Sequence, residues 1–77
     1  MNTKSAQVTR TTTAQLKVGD IIQHGNIFDG FIFTTVVELN DSTWNRMRQV
    51  LEKFEHGGIA GNYYGKNMIW FVVQEAK

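Results

Sequence analysis

Six consecutive apolar residues, Met68-Ile69-Trp70-Phe71-Val72-Val73, lie near the end of this 77-residue chain. They constrain its fold more than any other segment. The run is far shorter than the roughly 20 residues that a membrane-spanning helix needs. Bounded by Asn67 and by Gln74-Glu75, it reads as a strand from Asn67 to Glu75. Alternate strand residues point to opposite faces, so Met68, Trp70 and Val72 share one face and Ile69, Phe71 and Val73 the other. Both faces are apolar, and a strand of that kind has to be covered from both sides.

Upstream, Ala6 to Thr13 is rich in Val and Thr and suits an edge strand, where Arg10 would discourage pairing with another chain. Gly19-Asp20 reads as a tight turn feeding a strand from Ile21 to His24. Phe31 to Leu39 is the clearest strand, with Phe31, Phe33, Thr35, Val37 and Leu39 on one face and Ile32, Thr34, Val36 and Glu38 on the other. Between these two strands, Gly25-Asn26-Ile27-Phe28-Asp29-Gly30 is a loop with turn formers at its ends and an apolar pair in the middle.

Trp44, Met47, Val50, Leu51 and Phe54 recur at helical spacing. Asn40-Asp41-Ser42 offers an N-cap before them, and Gly57-Gly58 a left-handed stop after them. The pattern predicts a helix from Thr43 to Glu55, followed by a glycine-broken loop from Ile59 to Lys66. The expected fold is therefore α+β: a small twisted antiparallel sheet in the order β-β-β-α-β, with one helix packed on one face, or a partly closed barrel. Residues 1–77 form a single domain, of which 1–4 are a loose tail.

One helix of about thirteen residues covers one face of such a sheet at most. The opposite face then offers Ile32, Val36 and either Trp70 or Phe71 to solvent, an uncommon patch for a soluble monomer. Closure into a barrel, a homodimer or a protein partner would each cover it. Ile27 and Phe28 either fold back onto the core or project as a recognition anchor. The expected partner-binding residues are thus Ile27, Phe28, Ile32, Val36 and Trp70.

Catalytic chemistry finds little support. There is no cysteine, and the two histidines, His24 and His56, belong to no motif with a serine and a carboxylate. No metal-ligand spacing is present, and no cofactor is expected. The glycine loop fails as a phosphate-binding loop, because Ala60 stands where the first glycine belongs and a strand follows rather than a helix. Eight Lys and Arg against seven Asp and Glu give a net charge of +1, which argues against electrostatic binding of duplex DNA. An alternative is a single-stranded nucleic-acid or nucleotide binder that uses Arg46, Arg48, Tyr63, Tyr64 and Lys66, since rings interleaved with charge can stack bases and hold phosphates.

The segment Thr13-Ala14-Gln15-Leu16-Lys17-Val18-Gly19-Asp20-Ile21-Ile22, with its Leu-Lys-Val-Gly-Asp core, resembles the strand-entry segment of small β-rich domains. These include short proteins encoded by bacteriophages and other mobile elements. The resemblance implies a viral accessory or inhibitor protein that occupies a surface of a host macromolecule, and it carries over no binding residue. A signal-peptide core and cysteines are both lacking, which suits the cytoplasm. The expectation is a non-enzymatic interaction protein that acts as a homo-oligomer.

Overall fold

The computed structural model describes residues 6–43 and 46–75. Six strands form one sheet: β1 (Ala6–Thr12), β2 (Ile21–Asn26), β3 (Gly30–Asp41), β4 (Met47–Phe54), β5 (Ile59–Gly65) and β6 (Ile69–Glu75). The order is β1-β6-β2-β3-β4-β5, and every neighbouring pair is antiparallel. A three-residue 3-10 turn, Thr13–Gln15, is the only helical element among the described residues. No helix among them is long and apolar enough to cross a membrane.

The α+β expectation is therefore corrected. Met47–Phe54, placed in a helix by its spacing, is strand β4, and Ile59–Gly65, read as a loop, is strand β5 paired with it. Trp44 and the 1–4 tail lie outside the described residues. In β4, Arg48, Val50, Glu52 and Phe54 share one face and Met47, Gln49, Leu51 and Lys53 the other. The glycine that looked like a helix stop closes a hairpin instead. Gly57 has a φ of 99° and its N–H donates to the Phe54 carbonyl at 2.9 Å, while the Phe54 N–H donates to the Gly58 carbonyl at 2.8 Å. Both structures ask the same left-handed conformation of the residue, so the glycine could not tell them apart.

One face of the sheet encloses the core. Ile22, Val36, Val50, Trp70 and Val72 are buried on it together with Leu16 from the β1–β2 connector. The sheet is strongly curled. Tyr64 of β5 and Trp70 of β6 lie four strand positions apart in the order, about 19 Å in a flat sheet, yet their ring centroids are 4.7 Å apart.

The connector holds the curl closed. The Thr13 N–H donates to the Met68 carbonyl at 3.0 Å and the Ala14 N–H to the Lys66 carbonyl at 3.2 Å. Trp70 Nε1 donates to Thr13 Oγ1 at 2.7 Å. From the far side, Arg48 Nη1 reaches the carbonyls of Thr13, Ala14 and Leu16 at 3.0–3.1 Å. Two hydrogens serve three acceptors, so one is shared. The Arg48 Nε–Asp41 pair at 3.7 Å is too long for a hydrogen bond, and this buried nitrogen has no hydrogen-bond partner.

Which face is covered is also corrected. Val36 and Trp70, expected on an open face, are core residues at 0% and 3% exposure. With no helix to pack on, the sheet curls around the face that carries them and leaves the other one outside.

Candidate functional site

The outer face of β1, β6, β2 and β3 carries an apolar surface that runs across all four strands at the level of Val73 and Ile21 and is parted between β6 and β2 beyond it. The registers place Val8 beside Val73, Val73 beside Ile21 and Ile21 beside Thr35. In the next rows Arg10 lies beside Phe71 and Gln23 beside Phe33, then Thr12 beside Ile69 and Gly25 beside Phe31. Val8, Ile21, Phe31, Ile69 and Phe71 are each 40–48% exposed. Arg10 is the one charged residue in these rows.

The hairpin between β2 and β3 extends this surface at the Phe31 end. Asn26 Oδ1 accepts the N–H groups of Phe28 at 2.8 Å and Asp29 at 2.9 Å, and Asn26 Nδ2 donates to Asp29. This ties the loop backbone to its own stem. Gly25 is obligatory here: its φ is 100°, and a Cβ would sit 2.2 Å from the Gly30 oxygen. Held this way, Ile27 and Phe28 project, at 78% and 90% exposure. Ile32, also exposed, pairs with His24 on the inner side, beyond the edge of the core.

The proposed basic and aromatic strip is divided. The Arg48 guanidinium points inward to the connector, and the Tyr64 ring packs edge-on against Trp70. Arg46 and Tyr63 are exposed and Lys66 half-buried. The two arginines and two tyrosines therefore do not present one surface.

Sequence reasoning missed a polar cluster inside the curl. Glu52 is buried, and its Oε1 accepts the Thr34 hydroxyl at 2.6 Å and meets His24 Nε2 at 2.6 Å. Thr34 Oγ1 has given its one hydrogen to Glu52, so its 3.2 Å contact with His24 Nε2 can only be as acceptor. Nε2 therefore carries the proton and faces both, which leaves Nδ1 as the second hydrogen-bonding atom of the ring. The partners lie 10 to 28 residues apart in sequence, and no local motif marks them. Among the described residues, no three His, Asp or Glu gather as a metal site would require.

Comparison of the chain with known protein families, with curated proteins and with solved structures gives no match. The Thr13–Ile22 segment that carries the resemblance to phage-encoded proteins is a 3-10 turn and a tight turn that lead into β2. Gly19 has a φ of 100°, the Lys17 N–H donates to Asp20 Oδ2 at 2.9 Å, and Leu16 is buried. Of its residues, Ile21 lies in the outer-face rows.

Proposed function

We propose that this chain is a non-enzymatic interaction protein that self-associates through the outer face of β1, β6, β2 and β3. The observation that carries this reading is the group of exposed apolar residues Val8, Ile21, Phe31, Ile69 and Phe71, spread over three neighbouring rows of a sheet face that no second layer covers among the described residues. Five such side chains at 40–48% exposure present on the order of 400 Å² of apolar surface. A standard interface buries about 800 Å² per partner, a little over half of it apolar. The patch and its polar rim match that size. A second copy is the occupant of choice because the patch is nearly free of charge and so is compatible with itself across a two-fold axis. The net charge of +1 also adds little repulsion between copies.

Light scattering coupled to size-exclusion chromatography tests this. The expected result is a dimer at micromolar concentration that becomes a monomer in the double variant Ile21→Lys, Phe31→Lys, with an unchanged circular dichroism spectrum. A wild-type chain that stays monomeric up to millimolar concentration overturns the proposal.

A further inference from the structure

The sheet is split between β2 and β6. Pairing of these strands consists of Ile21 with Val73 and Ile22 with Val72, and it ends there, although β2 runs on to Asn26 and β6 begins at Ile69. The missing pairs would be Gln23 with Phe71 and Gly25 with Ile69.

Hydrogen-bond parity shows where the backbone of these residues points. The Val36 N–H donates to the Asp20 carbonyl, so alternate β2 residues, Ile22 and His24, turn their backbone groups toward β3. That leaves Gln23 and Gly25 facing β6. On the other wall, the Thr13 N–H donates to the Met68 carbonyl, so Trp70 and Val72 turn toward β1, and Ile69 and Phe71 face β2. Two sheet edges thus confront each other across an open cleft of about 340 Å³, lined among others by Gln23, Gly25, Ile69 and Phe71. Its inner side is closed by His24, Tyr64 and Trp70, whose rings contact one another edge-on through Trp70.

We infer that this cleft binds an extended peptide segment of a partner protein by strand addition. Main-chain donors and acceptors on β2 and β6 that lack a ladder partner call for another main chain, which supplies both in alternation. The volume holds two or three residues, the length over which the two strands diverge. Successive side chains of the segment would meet different surroundings. One points inward to the His24–Trp70–Tyr64 floor, where His24 Nδ1 is the remaining hydrogen-bonding atom of the ring, and the next lies outward beside Ile69 and Phe71. No Lys or Arg lines the cleft, and the buried Glu52 carboxylate lies under His24, so the fitting segment is neutral or basic, without carboxylates. This goes beyond self-association, with which it shares the outer-face side chains Ile69 and Phe71 but not Val8, Ile21 or Phe31.

The test uses the full chain and the acetylated, amidated peptide Lys-Val-Thr-Val-Thr-Lys, followed by amide hydrogen exchange in NMR. At saturating peptide, exchange at Gly25, Ile69 and Phe71 is expected to slow at least about tenfold, and a peptide N-methylated at alternate residues is expected to lose this effect. Protection at Ala6–Thr12 or Ile59–Gly65 instead would place addition at the outer sheet edges and overturn the inference. Equal binding of the N-methylated peptide, or no binding, would overturn it as well. Repeating the titration on the Ile21→Lys, Phe31→Lys variant separates the two proposals, since neither residue lines the cleft: protection retained in a monomer supports the cleft by itself.

Discussion

The two faces of this sheet are made by the same strands and have opposite fates. The inner face buries Ile22, Val36, Val50, Trp70 and Val72. The outer face carries Phe31, Phe33, Ile69, Phe71 and Val73, at least as apolar, and leaves most of them exposed. Hydrophobicity alone does not separate them. What distinguishes the inner face is its set of polar ties across the curl: Trp70 to Thr13, Arg48 to three connector carbonyls, and His24 and Thr34 to Glu52. Buried polar groups are tolerable only when paired, and here the pairings decide which side the sheet closes around.

The largest test of this contrast compares neighbours in one strand. Trp70→Ala should cost about 4 kcal/mol, since it empties the core and removes the indole N–H that Thr13 Oγ1 accepts. That is a large share of the roughly 4–12 kcal/mol available to a domain of this size. Phe71→Ala, one residue on but outside, should cost about 0.5 kcal/mol. Urea titration at concentrations where the chain is monomeric measures both, and equal losses would break the distinction between faces.

Arg48→Met should cost about 2–3 kcal/mol, because charge-assisted bonds to the Thr13, Ala14 and Leu16 carbonyls disappear, with only that of Thr13 keeping the Leu16 N–H as a donor among the backbone groups. Faster amide exchange at Thr13 and Ala14 should accompany the loss. Unchanged exchange there would mean that the connector is held without the guanidinium.

Smaller again is His24→Ala, at about 1–3 kcal/mol, because His24 is partly exposed and Thr34 remains on the buried carboxylate. A double-mutant cycle with Glu52→Gln should return a coupling energy of about 1 kcal/mol or more. A coupling near zero would show that the contact is incidental to the inner face. A small effect on folding is also expected of Ile21→Lys with Phe31→Lys, below about 1 kcal/mol together, even though this pair is expected to halve the mass seen by light scattering.

The misread segment shows how far local pattern reaches. Met47, Val50, Leu51 and Phe54 satisfy a helical spacing, while the strand reading requires Arg48 and Glu52 to point inward beside Val50. A buried arginine and a buried glutamate look improbable until their partners are known, and those lie 18 to 35 residues away. The strands that were legible, β1, β2, β3 and β6, have β-branched or aromatic runs and glycine turns of their own. The candidate surface is legible only up to parity: that β3 and β6 are apolar on both sides can be read from their residues, but not which side stays open, so that Val36 belongs to the closed face and, of Trp70 and Phe71, it is Phe71 that faces out.

By itself the sequence determined the turns and the two-sided strands, because both depend on chemistry within a few residues: Gly19 and Gly25 at positive φ, Asn26 binding its own loop, six apolar residues in succession. The tertiary structure alone decided which face is core, that Met47–Phe54 is strand, and where β2 parts from β6. Each of these depends on groups far apart in the chain meeting across the sheet, and no local pattern encodes such a meeting.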